Sequence, residues 1–249
     1  MSEKIATREA YGKALVELGA ANEQVVVLDA DLAGATMTKH FKAAYPQRFF
    51  DCGIAEADMM NIAAGLSTMG LVPFCSTFAM FGAGRAYEQI RNSIAYPKFN
   101  VKICCSHAGV SVGEDGGSHQ AIEDMGVLRT IPNMTVIQPA DYVAARKLVR
   151  AAGETYGPMF LRFTRDAVPV IYDEDAEFTI GKANLLREGK DVALIAVGDT
   201  VRLAIDAAEE LAKQGIEARV LDMHTIKPLD TEAVNACIAD IGKIVTVED

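Results

Sequence analysis

Residues 101–120 of the chain read VKICCSHAGVSVGEDGGSHQ, in which an apolar run is followed at once by a loop of glycines and charges. The run VKICC is short and almost continuously apolar, as is typical of a strand buried on both faces of a parallel sheet. The segment VGEDGGSHQ, residues 112–120, holds three glycines, two carboxylates and a histidine. A surface loop and a ligand site both fit this segment alone, and the rest of the sequence decides between them.

The pattern of VKICC recurs through the first two thirds of the chain, where short apolar runs alternate with stretches of helical periodicity. The other runs are VVVLDAD from residue 25, LVPFCS from residue 71, MTVIQPAD from residue 134 and MFLRFT from residue 159. Helical patterns cover residues 7–19 and begin near residues 55, 80, 119 and 142. The alternation predicts a doubly wound α/β domain with a parallel sheet and right-handed crossovers.

The last third of the chain is organised differently. Residues 169–190 are acidic and irregular, and they are predicted to be a linker with a hairpin-like strand. Residues 191–249 then alternate strand and helix patterns again and stop directly after a strand. We therefore expect a first domain at residues 1–168 and an incomplete, apparently truncated second α/β domain at residues 191–249. Three parallel strands without a closing helix would be marginal on their own.

The composition disfavours several classes of protein. A formal net charge of −10 opposes binding to a polyanion such as nucleic acid. No apolar stretch reaches the roughly 18 residues of a membrane span, and the start MSEKIATREA lacks the apolar segment of a signal peptide. We therefore expect a cytoplasmic protein with no membrane partner. The five cysteines include no Cys-x-x-Cys pair and are expected to be reduced thiols in the core.

Polar residues follow the carboxyl ends of the predicted strands, where open parallel sheets bind their ligands. This rule singles out Asp29, Asp31, residues 76–81, residues 106–119 and Arg165. The loop of the opening segment therefore lies on the ligand side of the sheet. A plain nucleotide-binding module is disfavoured, because there is no P-loop and GAGRAY lacks the third glycine of a dinucleotide fingerprint.

Several candidate residues also have a plain structural interpretation. His107 and His119 bracket the glycine loop with a carboxylate between them, which favours a site, although the histidines show no metal-ligand spacing. Glu56, near a helix start, could merely complement the helix dipole, and the sequence supports that interpretation and a catalytic one equally. Phe78 and Phe81 lie one helical turn apart, a spacing more typical of core packing.

Together these segments resemble the pyrimidine-binding half of transketolases, which use thiamine diphosphate. The resemblance covers Arg8 to about Arg165 and rests on GIAEADM at 53–59, STFAMF at 76–81, HAGVSVGEDGGSHQ at 107–120 and IPNMTVIQPAD at 131–141. The stretch from Asp191 resembles the opening of the family's C-terminal domain. The resemblance implies the pyrimidine-binding type of α/β fold. It also implies two-carbon ketol transfer between sugar phosphates, as in the pentose phosphate pathway.

The resemblance implies a role for four residues at the cofactor. Glu56 would hydrogen-bond the ring nitrogen of the aminopyrimidine, Phe78 and Phe81 would pack on that ring, and Asp31 would lie near the thiazolium side. The family binds the diphosphate and Mg2+ through a Gly-Asp-Gly motif on a separate domain, and this chain has no such motif. The chain thus resembles the small subunit of a split transketolase, with no metal ligands of its own and a diphosphate-binding partner subunit.

At the substrate, the resemblance assigns His119 to the donor hydroxyls and Asp115 to the C2 hydroxyl of the acceptor. Arg8, His107 and Arg165 would hold the sugar phosphate, a role that suits the planar, two-pronged guanidinium. The resemblance further implies self-association through the pyrimidine-binding domain, in an assembly of two copies with two partner chains.

Other interpretations stay open. The related 1-deoxyxylulose 5-phosphate synthases and beta chains of 2-oxo acid dehydrogenases are disfavoured by His107 and the run GEDGGSHQ. A non-catalytic scaffold relative is the alternative from another class. The segment DLAGAT departs from transketolases, which often have a phosphate-binding serine where Ala35 stands, and whether the neighbouring Thr36 replaces that serine is open.

Overall fold

The structure is a computed structural model that describes residues 3–249. Its strands are β1 (Lys4–Ala6), β2 (Val25–Asp29), β3 (Phe49–Asp51), β4 (Val72–Phe78), β5 (Lys102–Ser106), β6 (Thr135–Ile137), β7 (Met159–Arg162), β8 (Ala167–Pro169), β9 (Asn184–Arg187), β10 (Val192–Ala196), β11 (Ala218–Asp222), β12 (Thr225–Lys227) and β13 (Ile244–Val247). Its α-helices are α1 (Thr7–Ala21), α2 (Ala33–Thr36), α3 (Lys39–Ala44), α4 (Glu56–Thr68), α5 (Tyr87–Gln89), α6 (Asp124–Arg129), α7 (Tyr142–Glu154), α8 (Thr200–Ala212) and α9 (Thr231–Asp240). Between them lie π-helical segments at Met80–Arg85 and Ile90–Ala95 and 3₁₀ turns at Pro46–Arg48 and Val110–Asp115.

A seven-stranded sheet forms the centre of the first part of the chain, in the order β12-β6-β7-β5-β4-β2-β3. Neighbouring strands are parallel throughout, except that β12 runs antiparallel to β6. Strands β2, β4 and β5 are buried along their whole length, which explains their uninterrupted apolar runs. Helices α1 and α7 pack on one face and α4 and α6 on the other, so the predicted doubly wound α/β fold is confirmed.

The packing of α7 shows how the local sequence sets the fold. Its N-cap residue is Asp141, whose Oδ1 accepts a hydrogen bond from Ala144 N at 2.8 Å. Near its other end, a β-carbon on Gly153 would lie 2.9 Å from Leu18 of α1, so the two helices approach closely at this glycine. Together the helices cover fully buried side chains such as Phe74, whose truncation to alanine would cost about 3–5 kcal/mol of stability.

The last part of the chain forms a second sheet in the order β13-β10-β11-β9, with α8 packed against it. Strands β10, β11 and β13 are parallel, and β9, which lies within the predicted linker, runs antiparallel to β11. The same part of the chain also contributes β12 to the edge of the main sheet, so the two sheets are joined through this strand. Among the described residues, no helix is long and apolar enough to cross a membrane.

One predicted helix begins later than expected. The helical pattern from near His119 becomes α6 only at Asp124, and the residues before it form a loop. Two backbone hydrogen bonds hold that loop in place, from His119 N to Gly116 O at 2.9 Å and from Gly109 N to Ala121 O at 2.9 Å. The helix predicted from near residue 80 is present as the π-helical segment Met80–Arg85.

Candidate active site

Four neighbouring parallel strands bring the candidate residues to one edge of the main sheet. Asp29 of β2 lies opposite Ser76 of β4, and Phe78 of β4 lies opposite Ser106 of β5, so the carboxyl ends of these strands are level. Strand β7 pairs with β5 in the same direction. The segments that leave these ends carry predicted site residues, namely Asp31 after β2, Phe81 after β4, His107 after β5 and Arg165 after β7.

Glu56 is the first residue of α4 and is only 1% exposed. Arg85, from the π-helical segment that follows β4, donates a hydrogen bond from Nη1 to Glu56 Oε2 at 2.8 Å. The start of the helix and the guanidinium both stabilise negative charge at this buried position. Arg85 was not predicted as a site residue. The only sign of it in the sequence is that it follows Phe81 by four residues on the same segment.

Four aromatic rings form a cluster beside this carboxylate. Phe78 and Phe81 stack with ring centroids 6.0 Å apart and planes inclined by 21°. The edge of His119 meets Phe81 at 5.3 Å and Phe78 at 6.0 Å, while His107 stacks on Phe78 at 3.8 Å. Arg85 also lies over Phe81, with its Cζ 4.7 Å from the ring centroid, so the aromatic cluster and Glu56 share one neighbour.

His107 is buried and held by hydrogen bonds on both ring nitrogens. Its Nδ1 lies 2.8 Å from Ser106 Oγ and its Nε2 lies 3.4 Å from Arg8 Nη1. Because a guanidinium can only donate, Nε2 is the acceptor and the proton of the neutral ring lies on Nδ1. Burial and the charge of Arg8 lower the pKa of His107 to about 4. His107 is therefore a neutral group at pH 7 and brings no positive charge to the site.

Arg8 and Arg165 supply positive charge at the same edge. Arg8 Nη1 donates to Ala35 O at 2.8 Å, and its buried Nε has no hydrogen-bond partner among the described residues. Burial lowers the pKa of Arg8, and the nearby charge of Arg165 acts in the same direction. Arg165 contacts Glu114 and forms an ion pair with Asp115, whose Oδ2 lies 3.2 Å from its Nε without hydrogen-bond alignment. An anionic ligand would therefore find two guanidiniums, and one of them has an N–H that no described residue accepts from.

Asp115 and His119 lie on one loop, residues 107–121, which we call the site loop. Asp115 ends the 3₁₀ turn Val110–Asp115, and Gly113 and Gly116 on either side of it have φ of 76° and 72°. Glycine adopts this left-handed region at no steric cost, which explains the glycines at these two places. The loop folds back so that the imidazole of His119 reaches Phe81 while Asp115 stays beside Arg165.

The segment after β2 is held by a buried carboxylate. Asp29 accepts hydrogen bonds from Thr36 Oγ1 at 2.7 Å and Thr38 Oγ1 at 2.8 Å, and burial raises the pKa of Asp29 to about 6. Thr36 is 1% exposed and its hydroxyl faces Asp29, so it does not stand in for a ligand-facing serine at Ala35. Asp31 lies beside this segment, exposed and with a φ of 61°.

Within residues 3–249, no three His, Cys, Asp or Glu side chains are grouped so that they could hold a metal ion. The predicted site residues nevertheless converge. They lie at the carboxyl edge of one parallel sheet, where there are a buried carboxylate, an aromatic cluster, two arginines and a loop with an aspartate and a histidine.

Comparison with known proteins shows the family of the chain. Residues 3–170 match the transketolase pyrimidine-binding domain, and residues 181–249 match the transketolase C-terminal domain. The two matches define the class of the chain, which is the pyrimidine-binding and C-terminal part of a thiamine-diphosphate enzyme. The chain belongs to the transketolase family, whose members transfer a two-carbon ketol unit.

Individual relatives cover nearly all of the chain. A protein of Methanocaldococcus jannaschii named "Putative transketolase C-terminal section" is 48% identical over 97% of this chain and 76% of its own length. Transketolase of Homo sapiens is 44% identical over 100% of this chain, which spans 40% of the human protein. A solved structure of a split gene transketolase, an inactive beta4 tetramer, matches with a TM-score of 0.92 and 51% identity, over 99% of this chain and 80% of that one.

Proposed function

We propose that the chain is the pyrimidine-binding subunit of a two-chain transketolase that transfers a ketol unit between sugar phosphates. The observation that carries the proposal is the buried carboxylate of Glu56 beside the stacked pair Phe78 and Phe81. The reaction needs such a polar and aromatic surface for a heteroaromatic cofactor, next to groups that bind sugar hydroxyls and phosphate. All three kinds of group lie at one edge of the main sheet.

The surface formed by Glu56, Phe78 and Phe81 fits the aminopyrimidine of thiamine diphosphate, which is flat, aromatic and carries a ring nitrogen. Glu56 would share a proton with that nitrogen, in a buried position that strengthens the hydrogen bond. Phe78 and Phe81 would fix the ring plane and exclude water, and Asp31 would face the thiazolium side. When bound, the cofactor supplies the carbon nucleophile that cleaves the donor ketose. We assign its diphosphate and Mg2+ to the partner subunit.

The site loop would handle the sugars. His119, which lies edge-on to Phe81, would bond the donor hydroxyls from the cofactor side. Asp115 would accept a hydrogen bond from the C2 hydroxyl of the acceptor, and an anionic carboxylate discriminates against acceptors in which that hydroxyl is missing or misplaced.

Arg8 and Arg165 would hold the sugar phosphate by charge, whereas His107, which is neutral because its pKa is lowered to about 4, would contribute by accepting a hydrogen bond from Arg8 and so orienting that guanidinium. The Nε of Arg8 supports this role, since a phosphate oxygen would satisfy a buried N–H that finds no acceptor among residues 3–249. With Ala35 in place of a serine, and the Thr36 hydroxyl bound to Asp29, residues 31–36 would offer no hydroxyl to the phosphate, which would be held by Arg8 and Arg165 with His107 beside them.

We also propose the organisation that this function needs. The chain divides into a pyrimidine-binding domain at residues 1–168, a linker at 169–190 and the start of the transketolase C-terminal domain at 191–249. The pyrimidine-binding domains pair with each other, and each copy binds one N-terminal transketolase subunit that carries the diphosphate site. Relatives named as a C-terminal section and as a split gene enzyme support a two-chain arrangement.

Two kinds of alternative remain to be tested. A 1-deoxyxylulose 5-phosphate synthase or a 2-oxo acid dehydrogenase would use the same cofactor on other substrates, and His107 with the GEDGGSHQ run favours transketolase over both. A non-catalytic scaffold would have no need to bring Glu56, Asp115 and His119 to one edge of the sheet.

The test is ketol transfer from xylulose 5-phosphate to ribose 5-phosphate by the chain with and without a diphosphate-binding transketolase subunit. We expect turnover and thiamine diphosphate binding only in the mixture. A stable two-chain complex that binds the cofactor but transfers no ketol unit would reject the substrate assignment. A complex that binds no cofactor would favour the scaffold interpretation.

A further inference from the structure

We propose that Asp249 is a positioning residue that holds the site loop in its productive conformation, an inference that rests on the proposed function. Its carboxylate is placed at the start of the 3₁₀ turn Val110–Asp115, far from it in sequence. Asp249 Oδ1 accepts hydrogen bonds from Val110 N and Ser111 N, both at 3.1 Å, and Oδ2 accepts one from Ser111 Oγ at 2.6 Å. One side chain thus binds three donors of the loop.

The loop is shaped to admit this carboxylate. Gly109 has a φ of 77°, and a β-carbon at this position would overlap the carboxylate of Asp249. Gly109 N also donates to Ala121 O at 2.9 Å, which closes the base of the site loop. The glycine therefore serves both the turn of the backbone and the close approach of Asp249.

A buried arginine contacts both Asp249 and the end of the site loop. Arg162, at the end of β7, is 1% exposed and donates from Nη2 to Ala121 O at 3.0 Å and to the main-chain oxygen of Asp249 at 2.9 Å. Its Nε donates to Asp124 Oδ2 at 2.9 Å. Asp249 thus contacts the site loop through its side chain, and its main-chain oxygen contacts Arg162, which also holds Ala121 at the end of the loop. The hydrogen bonds of the Asp249 carboxylate are exposed or only partly buried, but they are charge-assisted, and hydrogen bonds of this kind are about twice as strong as those between neutral groups.

The anchor acts on the residues that would do the chemistry. Asp115 ends the turn that Asp249 caps, and His119 lies four residues further along the same loop. The loop contains Gly113, Gly116 and Gly117 and so has little conformational preference of its own. Besides its internal backbone hydrogen bonds, the loop is positioned by the contacts with Asp249 and Arg162. Displacement of a reacting group by about 1 Å costs on the order of 100-fold in rate.

The test uses the two-chain complex and three variants. Asp249→Ala removes all three hydrogen bonds, and Ser111→Ala removes only the one from the hydroxyl. Glu248→Ala is the matched control, because its exposed side chain neighbours Asp249 in the sequence. The first measurement is amide hydrogen exchange across the site loop. The second is the preference for ribose 5-phosphate over 2-deoxyribose 5-phosphate as acceptor, which reports on whether Asp115 still meets the C2 hydroxyl.

In Asp249→Ala we expect exchange in the site loop to accelerate about tenfold or more, with the rest of the chain unchanged. We expect the acceptor preference to fall by about 10- to 100-fold, the value of one hydrogen bond to a charged group. Ser111→Ala should lie between the wild type and Asp249→Ala, and Glu248→Ala should match the wild type.

Two results overturn the proposal, namely unchanged exchange in the site loop or an unchanged acceptor preference in Asp249→Ala. Should Asp249→Ala fail to fold, the same two results in Ser111→Ala overturn it. The proposed function can fail separately. If the wild-type complex transfers no ketol unit but Asp249→Ala still shows faster exchange in the site loop, the proposed function is rejected and the role of Asp249 is supported.

Discussion

Replacing His107 with glutamine should remove a specific part of the acid sensitivity of this chain. Burial and Arg8 lower the pKa of His107 from 6.5 to about 4, so between these values the unfolded chain binds a proton that the folded chain does not. The folded state therefore loses stability as the pH falls from about 6.5 towards 4. One pKa unit corresponds to about 1.4 kcal/mol, so the whole shift is worth about 3 kcal/mol, of which about 2 kcal/mol is lost between pH 7 and pH 5.

The assay is equilibrium urea unfolding of the wild type and His107→Gln at pH 7 and pH 5. The wild type should lose about 2 kcal/mol more than the variant between the two pH values. Other buried groups also titrate, including His224, with a pKa lowered to about 4, and Asp222, with a pKa raised to about 7, but they are common to both proteins and cancel in the comparison. Equal losses in the two proteins would refute the claim that His107 is neutral and buried in the folded state.

Three further variants test other contacts. Arg85→Ala should lower the free energy of unfolding by about 1–3 kcal/mol, since Glu56 keeps its burial and loses its ion-pair partner; urea unfolding measures the loss, and an unchanged stability would contradict the pairing. Arg165→Ala should raise the KM for phosphorylated sugars about tenfold with little change in kcat, while the exposed Arg150→Ala should change neither constant in steady-state assays. Arg162→Met should cost about 3–5 kcal/mol in urea unfolding, because it leaves a buried carboxylate uncompensated, and a loss below about 1 kcal/mol would contradict the buried pair.

Local patterns were sufficient to predict most of the main sheet. The runs VVVLD and VKICC are apolar because both faces of β2 and β5 are covered by helices. A run of this kind can be recognised from a few neighbouring residues alone. The same patterns place the carboxyl ends of the strands, so the sequence also indicated which loops meet at the site. The site loop was singled out in this way, whereas Glu56 was considered for its place near a helix start, and the family resemblance supplied the roles proposed for both.

Contacts between distant segments were not predictable from local patterns. Strand β12 is three residues long, and it joins the main sheet by pairing with β6, which is distant from it in the sequence. Asp249 meets Val110 across 139 residues of sequence. Arg85, at the end of the π-helical segment, reaches the buried Glu56 although its own side chain is half exposed, and the periodicity of an ordinary helix gives no sign of this contact. Helix α6 begins later than predicted, because the glycines and backbone hydrogen bonds of the site loop favour a loop over the helix that the sequence pattern indicates.

The central claim is that this chain supplies Glu56 to the pyrimidine of thiamine diphosphate. The most direct test is the rate at which the thiazolium C2 proton of bound cofactor exchanges with deuterium, followed by NMR after acid quench, in the two-chain complex. Glu56→Gln should slow this exchange by at least about 100-fold while the cofactor still binds. Asp58→Asn, an exposed carboxylate in the same first turn of α4, should leave the rate unchanged. Exchange at the wild-type rate in Glu56→Gln would contradict the account.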